Sequence, residues 1–327
     1  MVKKKKTNKK QPKWSIIVRT QGKRNEFLLE ALYSIALQSY DNKDVILVVH
    51  AKGKRALKGI ENLVHPLNNL LKINILQADY SKRRGHPLNV GLDNCNSKYV
   101  SFLDDDDILY PHAGEKLIEE LEKGQRNFVC GIAIALNQRQ IGGRLFKNTG
   151  KHIFYNKEFN PVELASTNFI PINDYIYNFN TFKELRFDED LDLLEDWDLL
   201  LQMITSGKLR AKFIPIETCE YRFKDDNSQS FTIYTKKELL ESRQIINKKY
   251  RGKKIQLDFD DVFLIYPDVN NISPLDEEDA DIGRMRKELE FIRRTLEIRN
   301  YQLEKIVRRH GFRVYNFILR IFRRPAY

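Results

Sequence analysis

Short apolar runs alternate with amphipathic stretches over the first 124 residues, and that alternation limits the possible folds more than any other feature of the chain. "WSIIVRT" (14–20), "DVILVV" (44–49), "INILQA" (73–78) and "KYVSFL" (98–103) each have the length of a strand. "DVILVV" is an unbroken β-branched run, the pattern of a strand covered on both faces. Between the runs, "NEFLLEALYSIALQSY" (25–40) brings Phe27, Leu28, Leu32, Ile35 and Ala36 to one side at helical spacing. A second helix is expected over about 55–71, and a third, short one holds "NVGLDN". "PHAGEKLIEELEKG" predicts a fourth, with Pro111 at its first position and Gly124 just past its end. Repeated β-α units imply an α/β fold with a mostly parallel central sheet. Ligands of such sheets bind at the carboxyl ends of the strands, where the strand order reverses.

After residue 125 the alternation stops. Residues 126–183 read as strands and loops, including "NFVCGIAIAL" and "GGRLFKN". A helix is expected from about Glu195 to Ser206, closed by Gly207, then a strand "LRAKFIP" and a charged helix over 235–249. The spacing of Leu289, Ile292, Leu296, Leu303 and Ile306 suits a helical hairpin or a pairing with a second chain. Phe312, Tyr315, Leu319 and Phe322 continue the apolar face among Arg313, Arg320, Arg323 and Arg324. The expected organisation is a disordered basic tail (1–13), a main α/β domain (14–250), a linker (251–283) and a basic amphipathic helical extension (284–327).

The net charge of +11 is unevenly spread. Residues 1–13 hold seven lysines and no carboxylate, and 284–327 hold thirteen Lys/Arg against four Glu, which leaves the body between them at about −5. Basic ends on an acidic body suit an anionic surface, membrane or nucleic acid, or else a solvated tail. No apolar run reaches the roughly 18 residues of a membrane span, and no secretory signal pattern follows the first lysines. Cys95, Cys130 and Cys219 have no metal-binding spacing and read as free thiols.

"FLDDDDILYP" (102–111) places four aspartates at the carboxyl end of the fourth expected strand. Adjacent ionised carboxylates repel unless a cation compensates them. A turn needs only one aspartate, and the alternate-position pattern of a calcium loop is absent. A divalent cation bound together with a phosphorylated ligand accounts for the excess. The basic loop "SKRRGH" (81–86) then suits a diphosphate.

Three separated motifs carry a resemblance over roughly residues 14–230: "SIIVRT" to "DVILVV", "RGHPLNVGLDNCNSKYVSFLDDDDILYP", and "LLEDWDLLLQMITSGKLRAKFIPIETCEYRF". In this order the chain resembles the inverting, GT-A-type glycosyltransferases of family 2. The resemblance implies a Rossmann-like nucleotide-sugar fold, a Mn²⁺ or Mg²⁺ cofactor, and a nucleotide-sugar donor, with a UDP-sugar favoured. It assigns Thr20 and Arg24 to nucleotide contact. His50 stands where the family usually has an aspartate, and either meets the base or is a loop histidine. Asn89 and Gly91 match the family's N-x-G helix start. Leu88 replaces an arginine common there, and Arg84, with Arg83, is a candidate to supply that charge. The DxD motif matches Asp104 to Asp106. Asp106 and Asp104 are the metal candidates, Asp104 and Asp105 are nucleotide-sugar contacts, and Asp107 reads as a turn residue. Asp196 is the general base and Glu195 its orienting partner, although Asp196 taken alone also suits a helix cap. Trp197 reads as core, Asp192 and Asp198 as surface or capping residues, Asn168 as an acceptor-side candidate and Arg222 as a phosphate ligand.

The expected acceptor is a glycan or a lipid-linked hydroxyl. The tail suggests an anionic membrane contact through 308–324, an oligomer contact through 284–310, and a cytoplasmic location at the inner face of the cell membrane. The competing reading is a non-catalytic nucleic-acid- or glycan-binding protein on a degenerate GT-A scaffold. The acidic body and the absence of any nucleic-acid motif count against nucleic acid.

Overall fold

A computed structural model describes residues 11–142, 145–225 and 235–257. The lysines before residue 11, the segment 226–234 and everything beyond 257 lie outside the described residues. So do the expected linker, apart from its first residues, and the expected helical extension.

The first half is built as the alternation predicts. β1 (Trp14–Thr20), β2 (Lys43–Val49), β3 (Ile73–Gln77) and β4 (Tyr99–Asp104) are joined by α1 (Asn25–Ala36), α2 (Lys54–Val64) and α3 (Gly85–Asp93). β1 pairs in parallel with β2 on one side and β4 on the other, and β2 pairs in parallel with β3. The strand order 3-2-1-4 therefore reverses at β1, so a crevice opens between the carboxyl ends of β1 and β4. Ile16, Ile17, Val18, Val45, Leu47, Val48 and Val49 are fully enclosed. At Gly91 an added Cβ would stand 2.5 Å from Ile17, so glycine is what lets α3 lie directly on β1.

Three helix boundaries differ from expectation. α1 ends at Ala36 rather than running to Tyr40, because Gln38 turns back. Its amide donates to the carbonyls of Ser34 (3.2 Å) and Tyr110 (2.7 Å). α2 gives way at His65–Leu67 to a single 3₁₀ turn containing Pro66, which has no N–H to continue the ladder. Pro111 lies outside the fourth helix, α4 (Ala113–Leu121), whose N-cap is His112. The Pro111 carbonyl instead accepts from the backbone N–H of Ser39 at 2.8 Å.

The second half extends the same sheet. β5 (Ile108–Leu109) and the long β6 (Phe128–Gly142) are followed by β7 (Leu145–Tyr155), α5 (Pro161–Ser166), β8 (Tyr175–Asn178), α6 (Glu195–Thr205), β9 (Ala211–Lys224) and α7 (Lys236–Tyr250). β8 pairs antiparallel with both β4 and β6, so it joins the two halves. β6 then pairs in parallel with β9 and antiparallel with β7. The fold is α/β of GT-A type, a mostly parallel central sheet with antiparallel strands added at one side. α7 starts on a reciprocal cap between Thr235 and Glu238 and docks by its far end. Asp198, expected at the surface or in a cap, is fully buried, because it anchors that docking. It accepts from Tyr250 (2.9 Å), Lys249 (2.9 Å) and Gln202 (2.8 Å). No helix among the described residues is long and apolar enough to cross a membrane.

Candidate active site

The four aspartates do not face the same way. β4 ends at Asp104, and the backbone N–H of Asp107 donates to the Asp104 carbonyl at 3.2 Å in a tight turn. Asp104, Asp105 and Asp106 are left half-buried at the crevice, while Asp107 turns inward. Its carboxyl accepts from the Arg222 N–H (2.8 Å) and the Asn173 amide (3.1 Å), so it pins β9 and the loop before β8 beneath the site. Burial and the charge of Asp106 drive Asp107 well above the usual carboxylate range. It is thus a buried tie between elements as well as a turn residue.

Each of the other three aspartates has its own partner. Arg19, at the end of β1, grips Asp104 with two bonds of 2.6 and 3.0 Å. Burial opposes the Asp104 charge, and Arg19 more than offsets it, holding this carboxyl below its ordinary range. The Thr20 hydroxyl donates to Asp105 at 2.5 Å. Burial and the neighbouring Asp106 push Asp105 up to about 7. Asp106 accepts from Arg24 and from Lys224, each at 2.6 Å.

The acidic pair at the start of α6 completes the cluster. Glu195 is buried and receives Arg19 at 2.9 Å and Arg84 at 3.3 Å. One guanidinium, that of Arg19, therefore bridges the Asp104 carboxylate and Glu195. Burial works against the Glu195 charge, but Arg84 and Arg19 together hold it below its ordinary range. Asp196, one residue on, is half-exposed. Its two oxygens accept from the Asn168 amide (2.9 Å) and the Trp197 N–H (2.8 Å). Burial and the charge of Glu195 push it up to about 6. Asp196 is not the helix cap, because the N-cap position is Leu194. Leu194 is the one non-glycine residue with positive φ (66°) among the described residues. A left-handed leucine costs on the order of 1 kcal/mol and persists only where its surroundings enforce it. Here it sets the turn that places both acids in the first turn of α6.

The other expected site residues divide. Thr20, Arg24 and Arg84 converge on the carboxylates, and Asn168 joins Asp196. His50 follows β2, and its Nε2 lies 3.0 Å from the Lys82 carbonyl. Burial lowers its pKa, so the ring is neutral near pH 7. Asn89 spends its amide on the loop before α6, donating to Phe187 (2.9 Å) and Glu189 (2.9 Å) and accepting from the Phe187 N–H (2.8 Å). Arg222 reaches Glu30 at 2.6 Å. Trp197 is core, with its indole N–H on the Leu164 carbonyl at 2.6 Å. Asp192 is exposed and pairs with Arg83 at 3.3 Å.

Arg19 and Lys224 were missed in the sequence. Arg19 sits inside an apolar run and reads as a strand terminator. Lys224 has no role assigned from the sequence, yet its side chain is fully enclosed, with the ammonium 4.7 Å from the Phe27 ring centre. The available signal was period-two spacing in "YRFK", which puts Arg222 and Lys224 on one face of β9.

The family model for glycosyl transferase family 2 matches residues 15–185. The chain belongs to this family. It is a glycosyltransferase, and the match ends before the α6 acids and β9. A curated relative, an uncharacterised glycosyltransferase of Haemophilus influenzae, is 24% identical over 71% of this chain and 72% of its own length. The amylovoran biosynthesis glycosyltransferase AmsE of Erwinia amylovora is 27% identical over 37% of this chain and 45% of its own length. Among solved structures, TarS of S. aureus in complex with UDP superposes with a TM-score of 0.54 at 17% identity, covering 75% of this chain and 67% of that one. The mannosyltransferase PcManGT of Pyrobaculum calidifontis, in complex with GDP-Man and Mn²⁺, gives 0.54 at 13% identity, covering 75% and 66%. At such identities the likeness is one of fold, and it fits a family 2 glycosyltransferase with a GT-A sheet.

Proposed function

We propose that this glycosyltransferase moves a sugar, with inversion, from a nucleoside-diphosphate-sugar to a hydroxyl of a glycan or lipid-linked acceptor, with Asp196 as general base. The observation that carries this reading is the split between two adjacent acids. Glu195 is kept ionised by two arginines, and Asp196, half-buried, is raised to about 6 by burial and the charge of Glu195. A base is most effective when its pKa lies near the working pH, and paired acids with opposed shifts mark divided roles. Asp196 takes the acceptor proton on the face opposite the departing diphosphate. Glu195 fixes Arg19 and Arg84 beside it. Asn168 and the Trp197 N–H hold the Asp196 carboxylate in one orientation.

The donor side is assigned to Thr20, Arg24, Asp104, Asp105 and Asp106, with Arg84 facing the diphosphate. TarS complexes contain UDP or UDP-GlcNAc, and PcManGT contains GDP-Man. These support a nucleotide-sugar donor, and the family resemblance favours UDP. A divalent cation, Mn²⁺ or Mg²⁺, suits the donor set, which is all hard carboxylate oxygen. Three carboxyls crowd one turn, and burial and the charge of Asp106 drive Asp105 up to about 7. No three ligands form a ready cage among the described residues, as befits a cation completed by substrate phosphates. Asp104 and Asp106 would hold it, and when bound it neutralises charge on the leaving diphosphate. His50, Asn89 and Arg222 stay in the proposal as nucleotide-side residues, His50 by its place after β2. A location at the inner face of the membrane and self-association through 284–310 rest on the sequence pattern alone.

Calorimetry with UDP, GDP, CDP and dTDP and their sugars, with and without Mn²⁺, tests this reading. Metal-dependent binding of one base class is the expected result. No binding of any of them in the presence of metal would overturn it.

A further inference from the structure

β9 presents two different faces to the site. Its even positions, Arg222 and Lys224, are buried toward Glu30 and Asp106. Its odd positions, Tyr221 and Phe223, are half-exposed on the other face. The two rings stand edge to face at 4.8 Å. Phe154 of β7 joins them, 5.5 Å from Tyr221 and 5.9 Å from Phe223. β6 runs between these strands, and Tyr221 is in register there with Ala135, a residue too small to keep the rings apart. Phe154 is 42% exposed and with the two half-exposed rings of β9 forms an apolar patch. The Tyr221 hydroxyl makes no hydrogen bond among the described residues. Tyr221 directly precedes Arg222, whose backbone N–H donates to Asp107 at 2.8 Å, so the strand that carries the rings abuts the aspartate turn.

From this arrangement we infer that Phe154, Tyr221 and Phe223 form a carbohydrate platform that seats a pyranose ring of the acceptor beside the carboxylate cluster. The inference rests on the reading of Asp196 as the base and deepens it by naming the acceptor as a saccharide. One face of a pyranose is a flat patch of C–H groups, which three clustered rings can cover. Its rim is hydroxyls, for which Tyr221 holds a free donor. Ligand sites commonly combine such aromatic walls with a few polar groups. The position also separates the two substrates: the cationic face of β9 serves the charged donor, and the aromatic face serves the uncharged sugar.

The test is saturation-transfer NMR on the full chain with methyl pyranosides of the gluco, galacto, manno and N-acetylglucosamine series, alongside calorimetry of nucleotide binding on the same samples. At least one pyranoside should receive saturation at its ring C–H protons. Phe154→Leu keeps an apolar side chain and removes the ring. It should raise that pyranoside's Kd by about 3–10-fold, the range expected for losing one aromatic contact, and leave nucleotide affinity unchanged. Tyr221→Phe should weaken binding less. The inference is overturned if no pyranoside receives saturation from the unmodified chain, or if Phe154→Leu binds as the unmodified chain does. Loss of nucleotide binding with pyranoside binding intact would instead count against the donor reading.

Discussion

β1, β2 and β4 are covered along nearly their whole length, whereas β7 and the outer part of β6 expose almost every residue. Both regions belong to one sheet, yet they meet the site differently. The parallel half delivers its chemistry at strand ends, where Arg19, Thr20 and Asp104–Asp106 emerge from an enclosed frame. The second half delivers its chemistry along a strand, with cations on one face of β9 and aromatics on the other, and at the α6 turn. The frame fixes where charge sits, and the second half supplies what balances and uses that charge.

The sharpest break in this comparison is Asp196→Asn. It should lower turnover by about 10²–10⁴-fold, the usual worth of a general base, with donor affinity retained. Next is Asp106→Ala, which strands the enclosed Lys224 ammonium. Loss of one partner of a buried pair costs about 3–5 kcal/mol, and this change should fall near the low end because Asp106 is itself partly open to water. Chemical denaturation reads this cost, and Asp106→Asn should recover part of it. Within the frame, Gly91→Ala forces a Cβ to 2.5 Å from Ile17 and should cost about 1–3 kcal/mol by overpacking. Turnover should also track Asp196 ionisation. Because its pKa is raised to about 6, activity should be full above that pH and fall about tenfold per unit below it. At the small end, Lys116→Ala removes an exposed pair with Glu119 and should change stability by less than about 1 kcal/mol.

The same contrast explains what was legible in the sequence. The parallel half announced itself because fully buried strands read as unbroken apolar runs, and because Asp104–Asp106 are adjacent in the chain. Glu195 and Asp196 were legible as an acidic pair ahead of an apolar helix. Partnerships across the fold were not. Lys224 meets Asp106 across 118 residues and Arg19 meets Glu195 across 176, and neither local propensity nor charge pattern encodes such a contact. Asp198 was misjudged for the same reason: its enclosure depends on Lys249 and Tyr250 arriving from α7. Asp107 reads as a turn residue; its tie to Asn173 and Arg222 depends on elements that lie 66 and 115 residues further along the chain.

The most direct test of the division between donor carboxylates and base is donor affinity measured by calorimetry, beside turnover, for Asp196→Asn and Asp106→Ala. The account predicts that Asp196→Asn binds the nucleotide-sugar as the unmodified chain does and barely turns over, while Asp106→Ala loses metal-dependent donor binding. Equal loss of donor affinity in both variants would contradict it.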